Sequence, residues 1–160
     1  MLNATQANPG VAAPTQADMD ILVAAIKLEQ QAQAAYAAGA ASGLLDDATK
    51  ALATKIAGQH AEHEKADTAA LQKMGGTAPA PADPKTYNFP AFKTAEDILK
   101  YALTLEQTAA NAYFSSIKQL QDKSLLQAVI SIQNNEAEHV ALLRSALKMD
   151  PSPVSFLPFQ

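Results

Sequence analysis

The chain has 160 residues, enough for one domain with a sizeable core. Its 16 acidic and 12 basic side chains give a formal net charge of -4 without any Lys/Arg cluster, which argues against nucleic acid or an anionic membrane as partner. With no cysteine, disulfides, iron–sulfur clusters and thiolate zinc are excluded, and no apolar run reaches the roughly 18 residues a membrane span needs.

Residues 1–14 read as an Ala/Pro/Gln leader without the basic and apolar regions of a signal peptide. The compartment stays open: cytoplasmic as the sequence stands, periplasmic if a signal was removed. Alanine-rich, helix-prone runs then predict an all-α domain over residues 15–150. A first helix is expected from about Gln16 to Ala41, with Thr15 as N-cap, Asp18 at N3, and Gly39 and Gly43 marking its fraying end. A second starts near Asp46 or Asp47 and stops at Gly75-Gly76. The Pro-rich segment 77–93 is long for a loop and is expected to cross the bundle, pinned to its outside by Tyr87, Phe89 and Phe92.

The third helix follows Thr94, with Asp97 at N3, and runs to about Leu120; the fourth spans roughly Lys123 to Met149 and is stopped by Asp150-Pro151. Residues 151–160 form an apolar, Pro-broken tail, read as packing along the bundle or lying on a second subunit in a homodimer. Short first and third connections with one long second connection describe a four-helix bundle with a crossover, made of two helical hairpins.

The hairpins repeat. Residues 20–36 and 97–113 share Asp20/Asp97, Ile21/Ile98, Leu22/Leu99, Ala25/Ala102, Leu28/Leu105, Glu29/Glu106, Gln30/Gln107, Ala32/Ala109, Ala35/Ala112 and Tyr36/Tyr113. Leu22, Ala25, Glu29, Ala32 and Tyr36 recur at three- and four-residue spacing, the seam of a packed helix, so Glu29 and Glu106 sit mid-seam in two helices. A buried carboxylate is costly without a cation, a metal or a proton. In the fourth helix Glu136 and His139 lie on the seam as Glu-x-x-His, and in the second His60, His63 and Asp67 do. Glu29, His60, His63, Glu106, Glu136 and His139 should therefore converge at one level of the core. Carboxylate and neutral imidazole suit iron, manganese or zinc. Glu62 and Glu138 are about 200° around the helix and should face solvent.

Tyr36 and Tyr113 are read as seam packing with satisfied hydroxyls, or as groups supporting the ligands from behind. Asp67 is expected to orient His63, or else to be a partly solvated charge. Phe114, Leu142 and Leu143 are assigned to the core. A metal-free, hydrogen-bonded polar core is the competing reading of the whole cluster.

The LEQ…AY, YNFPAF and EAEHVALL stretches, over about residues 16–149, resemble the ferritin-like superfamily, most nearly its small desiccation-related members. That resemblance implies a di-metal site with Glu136 as bridge, Glu29 and Glu106 as terminal ligands, and His63 and His139 one on each ion. It also implies iron and reaction with dioxygen or peroxide. Position 60 departs from the pattern: it is His where the superfamily has a bridging Glu, so the site would hold two ions asymmetrically, or one. The non-enzymatic alternative is a structural or stress-associated bundle whose site is empty or holds a single ion.

Overall fold

The computed structural model describes residues 15–155. It contains four long helices: α1 (Gln16–Ala41), α2 (Asp47–Lys73), α3 (Ala95–Ile117) and α4 (Leu126–Ala146). Single 3-10 turns occur at Pro84–Tyr87 and Lys123–Leu125. Residues 1–14 and 156–160, with the expected leader and most of the apolar tail, lie outside the described residues. Residues 151–155 are exposed, so this part of the tail does not pack along the bundle.

Both repeated helices begin in a capping box. Thr15 Oγ1 accepts from the Asp18 amide at 3.1 Å and Thr94 Oγ1 from the Asp97 amide at 3.1 Å, while each Asp carboxylate takes the cap's own N–H. Helix α2 is capped by Asp46, which accepts from the Thr49 amide at 2.7 Å. Its C-terminus closes through Gly75 at φ +83°, where the Gly76 N–H reaches the Leu71 carbonyl. Helix α4 ends the same way around Lys148 at φ 58°, with the Met149 N–H on the Arg144 carbonyl. It therefore stops before Met149, and Pro151 is not needed to end it.

The α3–α4 connection differs from expectation for an identifiable reason. The Asp18 carboxylate, buried at the start of α1, accepts from the amides of Gln121 at 2.7 Å and Asp122 at 3.2 Å. That draws the chain out of α3 at Ile117 and leaves Leu120 wholly buried in the loop. Gly39, expected at a fraying end, is instead buried inside α1. A Cβ there would come within 2.9 Å of Ile98 Cγ2, so its missing side chain lets α1 and α3 approach.

Helix α1 packs mainly on α2 and α3 mainly on α4, so each hairpin is a unit; α1 also faces α3. The crossover is fastened outside: Phe89 and Phe92 pack on Tyr101 with ring centroids 6.0 and 5.7 Å away, and Tyr87 stacks on Phe89. Gln30 Nε2 adds hydrogen bonds to the Pro79 carbonyl and to Glu64. Two apolar clusters fill the bundle. One contains Leu22, Ile26, Leu71, Leu120, Val129 and Ile132, the other Ile56, Leu99, Leu103, Val140 and Leu143. Each such side chain contributes about 1.5–3 kcal/mol on burial. Leu143 is core as expected, whereas Phe114 and Leu142 are surface residues at 42% and 38% exposure. Each sits one step of about 100° off a seam residue, Tyr113 or Leu143.

Candidate metal centre

Between the apolar clusters the seams deliver Glu29 from α1, His60 and His63 from α2, Glu106 from α3, and Glu136 and His139 from α4. All six are buried, and Glu106, Glu136 and His139 are at 0% exposure. Their ligand atoms form two overlapping groups, Glu29–His60–His63–Glu136 and His60–Glu106–Glu136–His139, each within 4.8 Å. His60 and Glu136 belong to both. Glu62 and Glu138 are exposed, as their helix phase requires.

Contacts inside the cluster are close but incompletely paired. His60 Nδ1 lies 2.6 Å from Glu29 Oε2 and its Nε2 3.1 Å from Glu106 Oε1, so one ring spans two carboxylates. His139 Nδ1 lies 2.9 Å from Glu106 Oε2. His63 Nδ1 comes within 2.9 Å of Glu136 Oε1 without the alignment of a hydrogen bond. Both Glu136 oxygens and His63 Nδ1 are buried without a hydrogen-bond partner. Contacts without hydrogen-bond alignment leave part of the cost of burying these groups uncompensated, which a cation at their common focus would remove.

Ionisation follows from this crowding. Burial alone would lower the imidazole pKa values, but the carboxylates outweigh it: His60 is pushed up to about 10 by Glu106 and Glu29, and His63 to about 9 by Glu136 and Glu29. His139 is raised against the same burial by Glu106 and Glu136. Burial also opposes charge on Glu29 and Glu106, yet their histidine neighbours hold both below the usual carboxylate range. At Glu136 burial wins and the pKa is raised. With no metal, ring protons neutralise the carboxylates; with one, those protons must leave.

The surroundings show reciprocal support between the halves. Tyr36 of α1 donates to Glu106 Oε1 of α3 at 2.5 Å, and Tyr113 of α3 lies 2.6 Å from Glu29 Oε1 of α1. His63 Nε2 meets Asn135 Oδ1 of α4 at 3.1 Å, and His139 Nε2 meets Gln59 Oε1 of α2 at 3.2 Å. An amide oxygen on Nε2 requires N–H there and leaves Nδ1, facing the cluster, with a lone pair once the ring is neutral. Asn135 and Gln59 were missed by the sequence reading. Their signal was available: they occupy equivalent positions of the repeat, each just before a cluster residue. Asp67 does not orient His63 as expected; it lies 2.7 Å from the Tyr113 hydroxyl.

Four antiparallel-hairpin helices enclosing a buried cluster of carboxylates and imidazoles define a bundle of the class that can hold metal ions in its core. Residues 17–149 match the model of the ferritin-like domain, and the chain belongs to that family. A solved structure of a conserved hypothetical protein from Mycobacterium tuberculosis has the same fold, with a TM-score of 0.73 at 18% identity, covering 83% of this chain and 98% of that one. No curated protein matches the chain.

Proposed function

We propose that this protein binds iron, with manganese or zinc as alternatives, at a two-ion site formed by Glu29, His60, His63, Glu106, Glu136 and His139. In this reading the loaded site reacts with dioxygen or peroxide. The observation that carries the reading is that Glu136 Oε1 and Oε2 and His63 Nδ1, in the middle of a buried core, have ion-pair contacts with one another and with the neighbouring rings but no aligned hydrogen bond. A hydrogen-bonded polar core would have given them aligned donors and acceptors. Bound iron would supply the redox chemistry; the chain's residues bind, orient and exclude bulk water. Glu136, common to both groups, is the candidate bridge. Gln59 and Asn135 hold His139 and His63 with Nδ1 inward, and Tyr36 and Tyr113 each occupy one oxygen of Glu106 and Glu29, leaving the other for an ion. Removal of peroxide would suit a role in oxidative stress or desiccation.

A second reading has one specific support. His60 uses both ring nitrogens on Glu29 and Glu106, as an imidazolium would. Three carboxylates with one internal cation suit a single divalent ion, and the protein would then be a structural bundle without turnover. Anaerobic Fe(II) titration, followed by oxygen or peroxide addition, separates the two. The enzyme reading expects about two Fe(II) per chain and oxidant consumption that is lost in Glu136→Gln. One ion per chain with no consumption above free Fe(II) supports the structural reading.

A further inference from the structure

Each half of the repeat walls off a cavity, one beside Tyr113 and one beside Tyr36, and the two differ in size. The Tyr113 cavity holds about 260 Å³, its counterpart about 20 Å³. Their linings correspond position by position, Leu22 with Leu99 and Ala25 with Ala102. Two pairs break the match. Ala24 stands where the small cavity has Tyr101, on which Phe92 of the crossover packs, and Asp67 stands where it has Leu143. The large cavity is thus open where its twin is plugged by a ring, and carries an acid where its twin is apolar.

Its mouth lies between α1 and α3, where Ala24 and Ala112 are exposed; Leu22, Ala25, Val129 and Tyr113 form the buried inner wall. None of the six cluster residues lines it, so an occupant would sit beside the centre without touching it. Most of its polar side chains are already spent: Ser116 donates to the Tyr113 carbonyl at 2.7 Å and Gln119 to the Ser115 carbonyl at 3.2 Å. Asp67 differs. It is 2% exposed, its Oδ2 meets the Tyr113 hydroxyl at 2.7 Å, and among the described residues no hydrogen bond falls on its Oδ1. A buried acceptor so placed is satisfied by a donor that the occupant brings.

We infer that this cavity is a binding site for a small neutral molecule of the phenol class, one ring bearing a hydroxyl that donates to Asp67 Oδ1. Size sets the ring. An apolar cavity of about 150 Å³ takes benzene, so one of about 260 Å³ suits a single ring with a short substituent. The lining sets the polarity, because mostly apolar walls with one placed polar group are the pattern of a small-molecule site. No basic side chain lines the cavity and an acid does, which disfavours a carboxylate or phosphate. An ammonium brings three donors to one open acceptor, whereas a hydroxyl brings one. Binding needs no metal and is measured in chelator, so its outcome is separate from that of the metal-centre reading.

The test titrates the full chain with 4-methylphenol, toluene and 4-methylbenzoate, read by calorimetry and by amide NMR shifts. 4-Methylphenol is expected to bind saturably with a Kd on the order of 1 mM or tighter, shifting the amides of Ala24, Ala112 and Ser116 most. Toluene and 4-methylbenzoate should bind at least tenfold more weakly. Ala24→Tyr, an exposed position that copies the plugged side, should weaken 4-methylphenol at least tenfold with circular dichroism unchanged. Asp67→Leu should erase the preference for 4-methylphenol over toluene; if that variant does not fold, the three ligands on wild type decide the point. No saturable 4-methylphenol binding, or binding unchanged in Ala24→Tyr, would overturn the site. Toluene or 4-methylbenzoate binding as tightly as 4-methylphenol would overturn the assigned ligand class.

Discussion

Glu136 separates a metal centre from an ordinary polar core, because the two assign opposite signs to its neutralisation. Its carboxylate is at 0% exposure and both oxygens lack a hydrogen-bond partner. Its raised pKa, caused chiefly by burial, means that folding disfavours its charge relative to the unfolded chain. Glu136→Gln keeps the shape and removes the charge, so in chelator the variant should be more stable than wild type by about 1–2 kcal/mol. For a domain of this size that is a rise in Tm of about 2–8 °C. Glu106→Gln is the contrast. Glu106 receives His60, His139 and Tyr36, and its lowered pKa means that its charge is favoured on folding. Removing one partner from such a buried network costs about 3–5 kcal/mol, a fall of about 6–20 °C. Differential scanning calorimetry in chelator, repeated with Zn(II), reads both. Wild type should gain about 2.7 kcal/mol when free Zn(II) is about 100 times Kd, and Glu136→Gln much less. If Glu136→Gln falls in chelator as Glu106→Gln does, Glu136 is a structural hydrogen-bonding group and the reasoning fails.

Other expectations follow from the same geometry. His60 and His63 are raised from 6.5 to about 10 and about 9, so their stabilisation is complete below pH 6.5 and is lost as pH rises through those values; metal-free urea midpoints should decline from pH 6.5 to 10. Zn(II) affinity by competition with a chromophoric chelator should rise over the same interval, since the ligands must shed protons. Gln59→Leu and Asn135→Leu should each weaken metal binding by about 10–100-fold in that competition while circular dichroism stays unchanged. Asp18→Ala should cost about 2–4 kcal/mol by urea unfolding, since it loses a cap and strands the Gln121 and Asp122 amides; Asp97→Ala, an exposed box, should cost about 1.

The seams were legible in the sequence because burial in a bundle is periodic. Leu22, Ala25 and Ala32 fix the phase of α1, and that phase alone puts Glu29 inside; the repeat then supplies Glu106. The two capping boxes were equally local and readable. What could not be read was set by pairings between helices. Asp18 looked like an N3 capping residue, and nothing nearby says that it also receives the α3–α4 loop, which shortens α3. Asp67 shares a seam with His63, yet its partner is Tyr113, 46 positions away. Gln59 and Asn135 reach across to the histidine of the opposite helix, a choice made by how α2 and α4 pack. Phe114 and Leu142 were assigned inward on hydrophobicity, against a phase that places them on the surface.

The most direct measurement is the metal content per chain of protein purified without chelator, beside a Glu29→Ala/Glu106→Ala double variant. Wild type is expected to carry iron at about two ions per chain, or to take up added Fe(II), Mn(II) or Zn(II) equivalently, and the variant to lose binding. A wild type that carries no metal and takes up none of the three would contradict the metal-centre reading, and the buried cluster would be a hydrogen-bonded core.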